Sequence, residues 1–231
     1  MSLIAQMLTE DQILTACSLA DKTGYNSVWY MDHSNVPQWS NAIVNDPWVM
    51  LSGIAAVTNN VELGTCVTDA LRRHPSNIAL ASITLDRLSK GRGTLGIGAG
   101  EAQNLKEFNI PFDKPVSKFE EQLQVIKHLY DSDPDNRKTW EGKYYQLTEA
   151  CLQAKSVRQP HVPIYMASGG KRTLEMTGKY GDGWLCSRRY RRSLRQSYRI
   201  YAKGLEQFEC QSGFVARHEI FCLQHFLADQ K

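Results

Sequence analysis

Gly96-Ile-Gly-Ala-Gly-Glu-Ala-Gln-Asn104 closes a short apolar run, Gly93–Gly98, and decides how the rest of the chain is read. Three glycines alternate where a strand ends, and the absence of their side chains lets a neighbour or a ligand approach the backbone. A dinucleotide fingerprint would need its third glycine at position 101, which is Glu101. That spacing excludes the Rossmann reading. Glu101 and Asn104 instead place polar groups directly after a buried strand.

Working outward, the chain alternates short apolar β-prone runs with helical periods. Thr9 and Gln12 match a capping box ahead of a helix with Ile13, Cys17 and Ala20 on one face, and Gly24 stops it. Ser27–Met31 reads as a strand ending at Asp32-His33. Pro47 opens a helix with Met50, Ile54 and Val57 inward, and Val61–Val67 reads as a strand. Pro75 opens a helix whose inner face is Ile78, Ala81, Leu85 and Leu88, before the strand Gly93–Gly98. Later come a strand Val162–Met166, a helix from Lys171 and a strand Gly183–Cys186. This alternation predicts right-handed βαβ units and a parallel sheet.

With a partial first strand at Leu3–Gln6, about six βα units are legible, fewer than the eight of a complete (β/α)8 TIM barrel. Residues 101–161 read as an insertion after strand 4, expected over the active face. It holds a helix Ser117–Tyr130 with a second capping box (Ser117, Glu120) and an aromatic strand pair around Trp140–Tyr145. The barrel therefore spans 1–186, and 187–231 reads as an atypical basic tail such as a truncated or frame-shifted chain would carry.

Bulk properties agree with an ordinary globular domain of 231 residues, 42% hydrophobic and 22% charged. The net charge of +3 is uneven: residues 187–231 hold 9 Lys+Arg against 4 Asp+Glu, leaving 18 against 20 elsewhere. The body thus lacks the charge of a nucleic-acid binder, and Arg188–Arg199 reads as a solvated face. No signal-peptide pattern or membrane-length apolar run is legible, and the six cysteines show no C-x-x-C pair. A cytoplasmic protein with reduced thiols is expected. No metal-ligand spacing is evident.

Four places could carry chemistry. Asp32-His33 lies at a strand end, where a neutral imidazole can donate a hydrogen bond or move a proton; a satisfied structural pair is its plain alternative. Gly64-Thr65-Cys66-Val67-Thr68 suggests a bulge, or mere room for a neighbouring strand. Gly98, Gly100, Glu101 and Asn104 form the third place. Ala167-Ser168-Gly169-Gly170, followed by Lys171 and Arg172, opens a helix and suits an anion, or is simply a tight turn. Three of the four sit at strand carboxyl ends, the ligand edge of parallel α/β folds.

Together with Arg73-His-Pro75 and Gly181-Asp-Gly183, these stretches resemble the bacterial luciferase-like superfamily over residues 3–186. They look most like its branch dependent on coenzyme F-420 (hereafter F420), which includes methylenetetrahydromethanopterin reductases and F420-dependent glucose-6-phosphate dehydrogenases. The resemblance implies a luciferase-like TIM barrel, a hydride-transferring oxidoreductase with F420 or alternatively FMN, a small-molecule substrate and a homodimer. It implies that His33 and Glu101 are catalytic. It implies that Asp32, Gly64, Thr65, Cys66, Val67, Thr68, Gly98, Gly100, Asn104, Ala167, Ser168, Gly169 and Gly170 bind the cofactor. The Gly64–Thr68 strand would carry a bulge, often with a non-proline cis peptide, and 168–170 would hold the phosphate. Ala5 or Gln6 stands where some relatives carry an acid, and the last two βα units are not legible. The alternative function is a non-catalytic, remnant flavin-binding protein.

Overall fold

The computed structural model describes residues 2–3, 8–36, 41–187 and 219–223. Ala5, Gln6, Arg188–Arg199 and the rest of the expected tail outside 219–223 lie outside the described residues.

The strands are β1 (Ser2–Leu3), β2 (Ser27–Tyr30), β3 (Glu62–Thr65), β4 (Thr68–Asp69), β5 (Gly93–Gly98), a hairpin β6 (Lys138–Glu141) and β7 (Gln146–Ala150), then β8 (Ile164–Ala167), β9 (Gly183–Ser187) and β10 (Glu219–Leu223). The helices are α1 (Glu10–Lys22), α2 (Pro47–Val57), α3 (Pro75–Leu88), α4 (Ala102–Lys106), α5 (Pro115–Tyr130) and α6 (Lys171–Tyr180). The main sheet is parallel in the order β1-β2-β3-β5-β8-β9-β10, with β4 continuing β3 along β5. Successive helices α1, α2, α3, α5 and α6 pack side by side around it. This is the strand and helix order of a (β/α) barrel, open between β1 and β10 among the described residues.

The period-two alternation sorts side chains between two cores. Val28, Tyr30, Leu63, Leu95, Ile97, Ile164 and Met166 join helix residues such as Ile13, Leu51, Ile78 and Phe119 in the outer core. Trp29, Tyr165 and Leu185 form the inner one, with Cys66, Val67 and Ala167 against it. The Trp29 and Tyr165 rings stack at 5.7 Å. Glycines on the adjacent strands make their room: a Cβ on Gly64 would come 2.4 Å from the Trp29 ring, and one on Gly183 would come 2.8 Å from Tyr165. Each pair is in register, Trp29 with Gly64 and Tyr165 with Gly183. Burying such a ring removes about 150–250 Å², on the order of 4–6 kcal/mol.

Local signals explain most boundaries. The Thr9–Gln12 capping box is present in both directions, and Pro47 and Pro75 start their helices behind the N-caps Asp46 and His74. Three expectations are corrected. Helix α5 begins at Pro115 rather than Ser117, and Ser117 with Glu120 makes no capping box. Both side chains instead meet Arg172 of α6, at 3.1 and 2.6 Å. Val57 and Leu88, expected inward, are 40% and 56% exposed, because each sits in the last turn where its helix leaves the sheet. The strand expected at Val61–Val67 spans only Glu62–Thr65, whereas the irregularity expected within Gly64–Thr68 is present as a cis peptide between Cys66 and Val67, after which β4 begins. Beyond the six units read from sequence, Glu219–Leu223 adds one parallel strand beside β9.

The 101–161 segment is divided. α4 stays at the end of β5, whereas α5 buries Phe119, Leu123, Ile126 and Leu129 in the helix layer. The β6–β7 hairpin then docks on α5, where Glu121 accepts from the N–H groups of Lys143, Tyr144 and Tyr145. Burial pushes Glu121 up, but these donors outweigh it and hold its carboxyl below the usual range. At the amino edge of the sheet, Arg92 donates to the last carbonyls around α2, and Asp21 accepts from the N–H groups of Asn59, Asn60 and Val61. That edge serves stability.

Candidate functional site

The carboxyl ends of β2, β4, β5 and β8 gather most of the sequence-predicted residues on one edge. The chain leaves β2 at Tyr30, and Asp32 is fully buried two residues later. A carboxylate in that position needs a cation and donors. Arg72 pairs with it, Thr68 donates its hydroxyl to it, and Arg73 Nε stands 3.9 Å away. Burial, and then the charge of neighbouring Arg73, lower the Arg72 pKa. Arg73 also pairs with Asp46, the cap of α2. His33 emerges half-buried above this network and, with Ser34, Val44, Asn45, Asp46, Arg72 and Arg73, lines a cavity of about 350 Å³.

The strand break brings Val67 against β5. A Cβ on Gly98 would meet Val67 Cγ2 at 2.9 Å and the Ala167 Cβ at 3.7 Å. Val67, Gly98 and Ala167 therefore form one small-residue floor. Thr65 turns away from it, exchanging hydrogen bonds with Gly96 through Oγ1 at 2.6 and 3.1 Å. Gly96 is a packing glycine, since a Cβ there would lie 1.7 Å from the Thr65 carbonyl oxygen.

Beyond Gly98 the chain turns at Gly100, with φ +86°. Glu101 is exposed and accepts from Gln103 Nε2 at 2.8 Å. Asn104 is 2% exposed, and its Oδ1 has no hydrogen-bond partner among the described residues. Asn35 reaches across to Glu107, so the loops after β2 and β5 adjoin.

At the end of β8, Ser168 is tied inward. Its hydroxyl meets Thr177 at 2.8 Å and its carbonyl accepts from Trp184 at 3.1 Å. Gly170 is the N-cap of α6, without a side-chain cap, so no side chain of the loop takes up the helix's first N–H groups. Arg172 does not add charge there, being engaged with Glu120 and Ser117 of α5.

Sequence reasoning missed Asp69 and Arg72. Asp69 ends β4 as a buried carboxylate; burial pushes its pKa up, the N–H groups of Leu71, Glu101 and Arg72 oppose that, and Glu101 adds to it. Its position at a strand's carboxyl end, like that of Asp32, was the available signal.

A small-residue floor, an imidazole, carboxylates and an uncapped helix start thus lie along the strand-end edge at which parallel α/β barrels as a class take their ligands. The chain is a member of the luciferase-like monooxygenase family, whose profile matches residues 6–219. It is 38% identical over 172 residues to the F420-dependent glucose-6-phosphate dehydrogenase of Kineococcus radiotolerans, covering 73% of this chain and 50% of that protein. It is 38% identical over 141 residues to the phthiodiolone/phenolphthiodiolone dimycocerosates ketoreductase of Mycobacterium bovis, covering 61% of this chain and 37% of that one. The chain thus spans half or less of the length of these curated relatives. Among solved structures, an F420-dependent secondary alcohol dehydrogenase in complex with an F420-acetone adduct superposes with a TM-score of 0.85 at 25% identity, covering 96% of this chain and 66% of that one. A coenzyme F420 dependent tetrahydromethanopterin reductase from Methanopyrus kandleri, at 22% identity and a TM-score of 0.77, shares the fold; it covers 97% of this chain and 64% of that one. No helix among the described residues is long and apolar enough to cross a membrane.

Proposed function

We propose that this chain is an F420-dependent oxidoreductase that exchanges a hydride with a hydroxyl-bearing or carbonyl carbon of a small organic substrate. Two observations carry the reading together: Asn104 is 2% exposed in the short helix after β5 with no hydrogen-bond partner for its Oδ1 among the described residues, and Gly98, Val67 and Ala167 form a small-residue floor at the end of the same strand. A planar ring with a polar N–H edge suits that combination, and the uncapped start of α6 suits its phosphate. The names of three of the four proteins compared support it, a glucose-6-phosphate dehydrogenase, a ketoreductase and a secondary alcohol dehydrogenase.

In this reading Cys66, Val67, Gly98, Asn104 and Ala167 hold the deazaflavin ring, and the main chain of Ser168–Gly170 holds its phosphate, while Gly64, Thr65, Thr68 and Gly100, whose space or side chains are taken up by Trp29, Gly96, Asp32 and Asp69, shape the strand ends behind it. When bound, the deazaflavin supplies the carbon that gives or takes the hydride. His33 takes the hydroxyl proton of the substrate, and Glu101 is the second acid–base group at the mouth. Asp32, with no exposed surface, acts through Arg72 and Thr68 by fixing the loop that carries His33. The inner aromatic layer of Trp29 and Tyr165 excludes water from below. A homodimer in the cytoplasm is part of the proposal; α2 has no charged residue and leaves Val49 71% exposed.

Fluorescence titration with F420 and with FMN tests the reading. Saturable F420 binding is expected, and saturable binding of neither overturns it. Gly169→Asp, which adds bulk and negative charge at the phosphate loop, should weaken F420 binding about tenfold or more; unchanged affinity in a folded variant rules out the phosphate placement.

A further inference from the structure

One side chain joins the loops that follow β4 and β5. Asp69 lies in register with Gly98 and is 4% exposed. Its Oδ1 accepts from the Leu71 N–H at 2.9 Å and its Oδ2 from the Glu101 N–H at 3.3 Å. Gly100 lies between, at a φ that L side chains rarely adopt. A Cβ on Gly100 would stand 2.4 Å from Asp69 Oδ1 and 2.8 Å from its Cγ. The carboxylate thus fills the space a side chain at 100 would need and fastens the next amide. By contrast, the Glu101 carboxylate meets Gln103, two residues along its own short helix, a contact too local to set the direction of the turn. A buried carboxylate is costly to keep unless main-chain donors satisfy it, and here those donors belong to the two loops being joined.

We propose that Asp69 is a positioning residue that fixes the Gly100–Glu101 turn and so aims Glu101 at the barrel mouth. The inference rests on the reading of Glu101 as an acid–base group, and its test separates the two. Asp69→Asn, Asp69→Ala and Glu101→Gln are compared with the parent chain in two assays. One is amide hydrogen exchange across 99–104. The other is turnover of F420 with glucose 6-phosphate or 2-propanol as hydride donor, alongside F420 affinity by fluorescence.

Asp69→Ala should speed exchange of the Glu101 amide about tenfold, the loss of one hydrogen bond to a carboxylate. It should lower kcat about 10- to 100-fold, as expected for a misplaced reacting group, while KM for the donor and the F420 Kd stay within about threefold. Asp69→Asn keeps shape and one acceptor and should fall between; it also carries the test if Asp69→Ala does not fold. Unchanged exchange at Glu101 in the folded variants overturns the proposal. So does a normal kcat for Asp69→Ala where Glu101→Gln abolishes turnover. If Glu101→Gln keeps full turnover, the role of Glu101 fails while the exchange result still decides whether Asp69 holds the turn. If the parent chain turns over neither donor, exchange alone decides.

Discussion

Replacing Gly96 with alanine separates two meanings of a glycine at a strand end. If Gly96 exists to let a ligand approach, Gly96→Ala leaves a stable fold with weakened F420 binding. The packing predicts a damaged fold instead. The new Cβ would lie 1.7 Å from the Thr65 carbonyl oxygen, 2.9 Å from its carbon and 3.3 Å from Leu185 Cδ1. Comfortable non-bonded contact needs about 3.5 Å, so β3 would have to retreat by more than about 1 Å. Two buried hydrogen bonds between Thr65 Oγ1 and Gly96 pin that spacing. Overpacking costs about 1–3 kcal/mol and each strained hydrogen bond about 1 kcal/mol, giving about 3–5 kcal/mol in all. Against a total stability of about 5–15 kcal/mol this is a large loss. For a chain of this size it corresponds to a fall in Tm of roughly 6–20 °C, read by circular dichroism or differential scanning fluorimetry. A Gly96→Ala protein melting within about 2 °C of the parent refutes the packing argument.

Arg72→Ala strips the buried Asp32 carboxylate of its cation and should destabilise by about 3–5 kcal/mol in urea unfolding, part of it recovered by adding Asp32→Asn; a parent-like midpoint for the single variant disproves the pairing. Gly53→Ala goes the other way. Gly53 lies inside α2 and its Cβ would make an ordinary 3.5 Å contact with Leu14 of α1, so a gain of about 0.5–1 kcal/mol and a slightly higher Tm should follow. Asp21→Asn tests the amino edge through pH. Burial pushes the Asp21 carboxyl up, but the N–H groups of Asn59, Val61 and Asn60 outweigh it and hold the pKa below its ordinary value. A group lowered on folding contributes fully above its unfolded pKa of about 3.9 and loses that contribution as pH falls through the folded value. The parent should therefore lose stability below about pH 4 more steeply than Asp21→Asn, and parallel acid profiles would count against the assignment.

Particular residues show where reading along the chain succeeds and where it stops. Thr9 with Gln12, Pro47 and Pro75 act within four residues of themselves, so the helix starts they specify are legible without any fold. Ser117 and Glu120 have capping-box spacing, yet Pro115 takes the first helical position and Arg172, more than fifty residues away, claims both side chains. Asp32, Thr68 and Arg72 form one network from the loop after β2, strand β4 and the loop after it, and none of the three announces the others.

The sequence by itself determined the alternation of strands and helices, the parallel sheet, the edge that carries the candidate residues and the family, because periodicity, caps and short motifs are local. Only the tertiary structure decided what each glycine is for. Gly64, Gly96 and Gly183 face a ring or a backbone on the neighbouring strand, Gly98 faces Val67 beyond the strand break, and Gly100 faces the Asp69 carboxylate. The same residue type has different roles because a missing side chain takes its meaning from the atom that fills the space, and that atom comes from a distant part of the chain.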